Sequence, residues 1–385
     1  MSKNLIPLLL VFTVLVSCSS NSSEQAHATK SLIKTDTLLT LALDSTTANI
    51  SPFLTYYDDG LSETGYLFSV NTMSNAMQLY DLDSQRLVRT VRFDVEGERG
   101  VGKLESLFVQ DFDNILLFPS QANRIFLVNA TASIFEKLEY EIPEVYTNAQ
   151  ISSSFFAGTP YLKNGYLTVK TKYPGNYRAI TNEELAKVHV AYIIDLRARK
   201  SALLPHYFPP DYYAQGMKHV EFSSVHSPLG AVYSFFGDHH LYYADQINQP
   251  LQKKEAKSQY FNQTIAAFPA TGDRQDRAQY YAASAHYGSL LYDRYRKVYY
   301  RFCYPEVDID DIQALRTHVQ YPQKFSILML DEQLNIIGET LFDNNKELVP
   351  QNAFVGKKGL YLSTNHTGNP QNEEGFFKFR LLVVE

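Results

Sequence analysis

The chain has 385 residues, of which 45% are hydrophobic and 20% are charged, and this composition excludes a disordered or low-complexity protein. Its 35 Lys and Arg residues are outnumbered by 41 Asp and Glu residues, so the net charge of -6 excludes a general nucleic-acid-binding function. Two cysteines are too few for a disulfide-dense scaffold or a Cys-rich zinc site. The 28 Tyr and 24 Phe residues favour β-strands over helices.

The N-terminus has the pattern of a secretion signal. Lys3 precedes an almost unbroken apolar stretch from Leu5 to Val16, which is shorter than the roughly 20 residues of a membrane-spanning helix. The stretch ends in Leu15-Val16-Ser17-Cys18, which resembles a bacterial lipobox, whose cysteine carries a lipid. We therefore predict a lipoprotein signal peptide over residues 1–17, lipid on Cys18 and a flexible tether over residues 18–30. An ordinary secretory signal with an incidental Cys is the alternative.

Beyond the tether, short runs of apolar and aromatic residues separated by Asp, Asn and Gly predict β-strands. In chain order these runs are Gly65–Val70, Ala76–Leu82, Arg86–Val95, Asn114–Phe118, Arg124–Asn129, Gly165–Thr171, Val190–Leu196, Ala231–Phe236, Leu241–Asp245, Lys297–Tyr304, Phe325–Leu330, Gly359–Ser363 and Phe376–Val384. Two short helices are expected between strands. Thr181 and Glu184 have the spacing of a capping box, and a second helix is predicted over Asp308–Thr317, with Asp308 or Asp310 as its cap.

Several of the apolar runs end at Asp or Asn, whose side chain can start a hairpin turn. The recurring positions are Asp81, Asn129, Asp195 and Asp331. Their recurrence indicates diverged repeats, and six units of four strands would fill residues 31–385. We therefore predict an all-β fold, a single six-bladed β-propeller domain, closed where Ser31–Leu43 pairs with Phe376–Val384. A large β-sandwich is the alternative.

One glycine-rich segment has almost the spacing of a phosphate-binding loop. Gly97 and Gly102-Lys103 match that spacing, but Leu104 stands where a Ser or Thr must hold magnesium. The residues that follow also have a strand pattern, whereas a phosphate site requires a helix N-terminus there. We predict a loop that joins two blades.

Asp238, His239 and His240 form a polar cluster within an aromatic setting, which makes them candidates for ligand binding. Adjacent side chains of a strand point to opposite faces, so the two histidines could share a ligand only in a tight turn. The alternative is a purely structural turn.

A second candidate group mixes aromatic rings with guanidinium groups and consists of Tyr292, Arg294 and Arg301. Such side chains could stack on sugars or hold carboxylates. The structural alternative is pairing of Asp293 with a nearby arginine inside a blade. The neighbouring Cys303 lies in an alternating strand and is predicted to be a small core residue.

The densest acidic cluster contains Glu306, Asp308 and Asp310, which are candidate ligands for Ca²⁺, a cation that takes several oxygen ligands. The cluster lacks the Gly and the terminal Glu of an EF-hand loop. A solvated loop with helix-capping acids is the alternative.

The lipobox, the segment from Tyr66 to Gly102, and the segment from Tyr292 to Arg301 together resemble a family of Bacteroidota lipoproteins catalogued as a domain of unknown function, family 4221. This resemblance implies a six-bladed, TolB-like β-propeller on a lipid tether. It brings no catalytic residues to carry over. Ser19 to Glu24 contains a single acid, so we expect the periplasmic face of the outer membrane rather than the cell surface.

With no recognisable catalytic motif, the sequence favours a binding or scaffold module in the cell envelope over an enzyme. Its expected partners are the membrane, through Cys18, and an unidentified protein, small molecule or glycan; no cofactor and no nucleic acid are predicted. The alternative is a propeller hydrolase or lyase acting on polysaccharide or peptide, which would use His239, His240 or the acids near Glu306.

Overall fold

The computed structural model of the chain describes residues 30–51, 53–120, 123–151, 155–269, 272–309 and 311–385. The predicted signal peptide, Cys18, and the predicted tether up to residue 29 lie outside the described residues, as does Asp310. Within the described residues, no helix combines the length and the apolar character that a membrane crossing requires.

The described residues form 24 β-strands and three short helices. The strands are β1 (Leu32–Ala42), β2 (Leu54–Tyr57), β3 (Tyr66–Asn71), β4 (Ala76–Asp81), β5 (Arg86–Arg92), β6 (Leu104–Val109), β7 (Ile115–Pro119), β8 (Arg124–Val128), β9 (Phe135–Glu139), β10 (Tyr161–Lys163), β11 (Tyr166–Lys170), β12 (Ala191–Asp195), β13 (Lys200–Leu203), β14 (Phe222–Ser227), β15 (Gly230–Phe235), β16 (His240–Ala244), β17 (Gln252–Glu255), β18 (His286–Asp293), β19 (Val298–Tyr304), β20 (Phe325–Leu330), β21 (Ile336–Phe342), β22 (Val349–Gly356), β23 (Gly359–Ser363) and β24 (Phe376–Val384). The helices are α1 (Asn182–Leu185), α2 (Arg274–Ala283) and α3 (Ile312–Gln320).

The strands make six antiparallel four-stranded sheets, which are the blades of a six-bladed β-propeller. Blades 1 to 5 take consecutive strands from β2 to β21, and blade 6 consists of β22, β23, β24 and β1. In this last blade Leu32 pairs with Val384 and Leu41 with Phe377, so the N-terminal strand closes the ring against the C-terminal strand. The predicted closure is confirmed, and the β-sandwich alternative is wrong.

The core lies between neighbouring blades, because the two middle strands of each sheet are covered on both faces. Strand β7 is buried over its whole length, whereas the outer strand β5 has no fully buried residue. Aromatic rings fill the wedge between sheets, as where Tyr80 of blade 1 meets Phe377 of blade 6 edge-on at 5.8 Å between ring centroids.

The recurring acidic positions start hairpin turns, as predicted. The Oδ1 atom of Asp81 accepts hydrogen bonds from the backbone N–H groups two and three residues further on, at 2.9 and 3.0 Å, and Asp195 makes the same pair of bonds. These bonds fix the turn between the third and outer strands of their blades. The Gly97–Lys103 segment connects β5 to β6, so the prediction of a loop between two blades is confirmed.

All three helices lie at one end of the ring. In an antiparallel blade, the connection between the two middle strands and the connection to the next blade leave from the same end. Helices α1 and α3 are inserted between middle strands of blades 3 and 5, and α2 joins blade 4 to blade 5. We call this end the helix-bearing face and the opposite end the hairpin face.

The predicted cap of the first helix is present in the structure, whereas the second helix has a different cap. Thr181 caps α1 in the predicted capping box with Glu184. The second predicted helix forms as α3, but its cap is Asp311, whose carboxylate accepts from the backbone N–H of Ala314 at 2.7 Å. The expectation of Asp308 as a cap is therefore wrong, and α3 ends at Gln320 rather than Thr317 because the chain keeps its helical pattern up to Pro322.

Candidate ligand-binding pocket

Helix α2, which the sequence analysis did not predict, divides two pockets on the helix-bearing face. Its N-terminus is fixed by Asp273, which accepts from the N–H groups of Gln275 and Asp276 at 2.6 and 3.0 Å, while the Asp276 carboxylate accepts from the N–H of Asp273 at 2.8 Å. This reciprocal box sets the position of the first turn. It therefore also fixes where Arg274 and Arg277 stand.

Residues spaced three and four apart share a face of a helix, and α2 presents two different faces in this way. Arg274, Arg277 and Tyr281 line one pocket, whereas Asp276 and Gln279 line another. The basic and acidic residues of one short helix are thus sorted to opposite sides.

The first of these, which we call the cationic pocket, has a volume of about 560 Å³. It lies between α2, the connection from β13 to β14, and the connection that carries α1. Its basic residues are Arg178, Lys218, His219, Arg274 and Arg277, and its aromatic residues are Tyr177, Tyr213, Phe268, Tyr280 and Tyr281. Among the described residues that line it there is no Asp or Glu.

Hydrogen bonds between connections hold the pocket walls. The side chain of Asn182, the first residue of α1, accepts from the N–H of Tyr213 at 2.8 Å and donates to the carbonyl of Pro210 at 2.6 Å. The N–H of Phe268 donates to the carbonyl of Met217 at 2.7 Å. Three separate connections are therefore tied into one wall.

The aromatic side chains form a packed floor. Tyr281 meets the His219 ring edge-on at 4.9 Å between centroids, and Tyr280 meets Phe268 edge-on at 5.9 Å. Burial raises the pKa of Tyr213 and the pKa of Tyr281 to about 12, so both phenols keep their protons at neutral pH and can donate hydrogen bonds.

The cations around this floor are not neutralised by neighbouring acids. In the part of the chain that the structure describes, no carboxylate lies within 4.0 Å of the charged nitrogens of Arg178, Lys218, Arg274 or Arg277. Lys218 is half-buried and donates to the carbonyl of Gly237 at 3.0 Å. Burial lowers its pKa, and the carboxylates of Asp238 and Asp211 oppose this shift.

A buried charge cluster supports the inner side of the pocket. Glu221 forms an ion pair with Lys172 and lies 4.0 Å from the Nζ of Lys170. Burial lowers the pKa of His219, which lies between this cluster and the pocket, and the Glu221 carboxylate opposes that shift. His219 is therefore neutral at pH 7, and the positive charge of the pocket comes from Lys218 and the three arginines.

The second pocket, which we call the acidic pocket, has a volume of about 780 Å³ on the other side of α2. Asp276, Glu306 and Asp308 line it together with Lys324. Glu306 and Asp308 are two of the three predicted metal ligands. Among the described residues, no group of three His, Cys, Asp or Glu side chains is placed to hold a metal ion.

The structure brings four of the six predicted ligand-binding residues together. Arg301 is fully buried between blades 4 and 5, and its guanidinium donates to the carbonyls of Asp238, His239 and His240 at 2.7, 3.0 and 3.3 Å. It also donates to the carbonyl of Ala256 at 2.8 Å. The guanidinium thus ties two blades together through backbone groups.

The two predicted histidines make separate contacts within the protein. The ring nitrogens of His239 bond to the Tyr287 hydroxyl at 2.8 Å and to the Gln263 carbonyl at 3.1 Å. The Nδ1 of His240 bonds to the Asp238 carboxylate at 2.9 Å. Each ring therefore has its own partners within the protein, and Asp238 to His240 lie where the chain passes from β15 into β16.

Tyr292 and Arg294 lie at the hairpin face, away from the other predicted ligand-binding residues. Tyr292 donates to Glu332 at 2.9 Å, and Arg294 lies 3.5 Å from the Asp58 carboxylate. The predicted structural pairing of Asp293 is present, since Arg296 donates to its buried carboxylate at 2.9 Å.

Comparison with known proteins gives a family and a fold. The family model described as "Domain of unknown function (DUF4221)" matches residues 30–341. A crystal structure of a DUF4221 member from Bacteroides vulgatus superposes with a TM-score of 0.82 at 21% identity, covering 93% of this chain and 99% of that one. A second structure, of a Bacteroides fragilis protein described as exported, superposes with a TM-score of 0.51 at 11% identity. The match covers 92% of this chain and 97% of that one. None of the curated proteins matches the chain.

Proposed function

The chain belongs to the DUF4221 family, and from this premise and the geometry of the pocket we propose that it is a binding module of the cell envelope. In this proposal a lipid on Cys18 tethers the propeller to the outer membrane, on the periplasmic side. The propeller captures a small-molecule or glycan ligand in the cationic pocket.

The observation that carries the binding role is the pocket itself. Its volume of about 560 Å³ falls in the range of small-molecule sites. Its walls come from three connections cross-linked by Asn182 and by the Phe268–Met217 hydrogen bond, so it is formed without a ligand. A preformed site loses little conformational entropy on binding.

The envelope location is supported by two observations. A short apolar stretch ends in Leu15-Val16-Ser17-Cys18, as a lipidation signal requires. The similar protein from Bacteroides fragilis is described as exported.

The anchor is tested by expressing the full chain and its Cys18→Ala variant in a Bacteroides host and separating membrane from soluble fractions. We expect the wild type in the outer-membrane fraction, with an intact mass that includes the lipid, and the variant outside that fraction. Ser20→Ala is the matched control and should behave as the wild type. Equal distribution of wild type and Cys18→Ala would contradict lipid tethering.

The binding role is tested by thermal shift against sugars, oligosaccharides, amino acids and aromatic acids. At least one compound should raise the melting temperature of the wild type but not that of Tyr213→Ala, which removes part of the aromatic wall. Tyr166→Ala is the control, because Tyr166 is 48% exposed and lies at the other end of a blade. A shift that persists in Tyr213→Ala, or no shift with any compound, would refute binding in this pocket.

A further inference from the structure

We infer that the ligand of the cationic pocket is a small organic anion, in which a carboxylate or sulfate-like group is attached to a ring that can stack on aromatic side chains. This inference rests on the proposed function and adds the chemical class of the ligand. The anionic group is expected to face Arg274, Arg277 and Lys218, and the ring to face the tyrosines.

The first argument is the sorting of charge on the helix-bearing face. The whole chain is acidic, with a net charge of -6, so a pocket lined by three arginines and Lys218, with no described Asp or Glu, differs in charge from the chain as a whole. On the other side of α2, Asp276, Glu306 and Asp308 gather in the acidic pocket. The resulting field attracts an anion to one pocket and repels it from the other.

The second argument is that the arginines of α2 have N–H donors that the described residues do not use. The guanidinium of Arg277 donates from Nε to the carbonyl of Asp273 at 3.2 Å, and its two terminal nitrogens make no hydrogen bond to the described residues. Arg274 is exposed and makes no side-chain hydrogen bond to the described residues. A planar guanidinium binds a carboxylate or sulfate through two parallel hydrogen bonds, so these arginines suit such a group.

The third argument is the shape and polarity of the walls. Tyr177, Tyr213 and Tyr281 present ring faces or edges with protonated hydroxyls, and Phe268 adds an apolar surface that Arg178 covers at 5.6 Å from the ring centroid. Tyrosine combines a broad apolar face with a hydrogen-bonding tip. A ring with an apolar face and polar substituents matches this surface, and an inorganic anion would leave most of it unfilled.

Isothermal titration calorimetry tests this class with matched pairs of probes. The pairs are 2-naphthalenesulfonate with 2-naphthalenemethanol, and digalacturonate with its neutral counterpart, digalactose. The mature lipoprotein is titrated in lipid nanodiscs, with empty nanodiscs as the blank. We expect at least one anion to bind about tenfold or more tightly than its neutral partner, with an affinity that falls as salt is added. If 2-naphthalenesulfonate is the anion that binds more tightly than its neutral partner, the ligand is an aromatic acid. If digalacturonate is that anion, the ligand is a sugar acid.

Charge-changing variants locate the binding. Arg274→Gln with Arg277→Gln should weaken binding of the preferred anion by about tenfold, whereas Glu306→Gln with Asp308→Asn in the acidic pocket should leave it unchanged or tighter. Arg89→Gln with Arg92→Gln on the exposed outer strand β5 is the control for loss of two positive charges. Thermal unfolding of each variant establishes that it is folded.

The outcomes separate this inference from the proposed function. Binding of neutral probes as tightly as their anions, with loss in Tyr213→Ala, would overturn the inference and leave the binding role intact. Anion binding that survives Arg274→Gln with Arg277→Gln would overturn the inference as well. If no probe binds and no compound of the thermal-shift panel binds, both are overturned.

Discussion

Lys170 and Glu221 form a buried ion pair behind the cationic pocket, with 4.0 Å between the Lys170 Nζ and the Glu221 Oε2. The Lys170 side chain is 1% exposed, and its ammonium donates to the carbonyls of Phe156 and Phe222 at 3.2 and 2.5 Å. Glu221 also pairs with Lys172. Removing water from Lys170 lowers its pKa to about 7, although the Glu221 carboxylate opposes the shift.

This lowered pKa predicts a stability that rises with pH. Above pH 7 the folded chain loses the Lys170 proton, whereas the unfolded chain, with an ordinary lysine pKa of 10.5, keeps it. The unfolded state then binds more protons, so the free energy of unfolding increases with pH. Relative to Lys170→Met, the wild type should gain at most about 1.4 kcal/mol per pH unit between about pH 7 and pH 9.

Urea denaturation at several pH values measures this difference, and comparison with the variant cancels the titration of other groups. Below pH 7 the difference between the two proteins should be constant, because Lys170 is protonated in both states. Parallel stability curves for wild type and Lys170→Met across the whole range would show that Lys170 does not titrate there.

The buried Arg301 predicts a large loss of stability on substitution. Arg301→Met would leave the carbonyls of Asp238, His239 and Ala256 without their donor in a buried interface. We expect a loss of about 3–5 kcal/mol in the free energy of unfolding. Arg301→Lys should restore little of it, since an ammonium cannot reproduce the planar fork.

Guanidinium chloride unfolding measures both variants, with Arg92→Met on the exposed β5 as a control that should change stability by less than about 0.5 kcal/mol. If Arg301→Lys unfolded like the wild type and instead changed ligand binding, the blade-to-blade role would be disproved.

The sequence predicted the middle strands of the blades much better than their edges. Runs such as Asn114–Phe118 and Phe325–Leu330 are apolar throughout because β7 and β20 are buried on both faces, and that pattern is visible without a structure. The inner strand β10 has three half-exposed or exposed residues, and the outer strand β17 reads Gln-Lys-Lys-Glu. Such strands owe their conformation to pairing with a neighbour, which local sequence does not encode.

The pocket was missed for a different reason. Arg178, Lys218 and Arg274 belong to three connections that are distant in sequence and become neighbours only when blades 3, 4 and 5 pack side by side. A local signal did exist, since Asp273 and Asp276 have the spacing of a capping box and Arg274 and Arg277 share one helical face. Arg301, by contrast, stood out in sequence because it is charged among aromatics, but its partners are backbone carbonyls that no sequence pattern marks.

Ring closure by β1 predicts that Leu41 is a stability determinant. Its side chain is fully buried between blades 6 and 1, where it packs in one cluster with Phe377 and Tyr80. Leu41→Ala should lower the free energy of unfolding by about 2–5 kcal/mol, because it leaves a cavity at the seam.

Thr37→Ala on the same strand is the matched control, since Thr37 is exposed, and it should change stability by less than about 0.5 kcal/mol. Both are measured by guanidinium chloride unfolding. Equal effects of the two substitutions would mean that the seam between β1 and β24 contributes little to the stability of the ring.

The cap of α2 links local structure to the cationic pocket. Asp273→Ala removes the acceptor for the N–H groups of Gln275 and Asp276 and should destabilise the first turn by about 1 kcal/mol. Asp273→Asn also removes the negative charge but keeps a capping oxygen, so it separates the cap from the charge. Hydrogen exchange of the α2 amides should accelerate in Asp273→Ala and much less in Asp273→Asn.

Because the first turn carries Arg274 and Arg277, the affinity for an anionic probe should fall in the Ala variant relative to the Asn variant. Equal exchange rates in the two variants would show that packing of Ala282 and Ala283 on Leu315, rather than the cap, holds this helix in place.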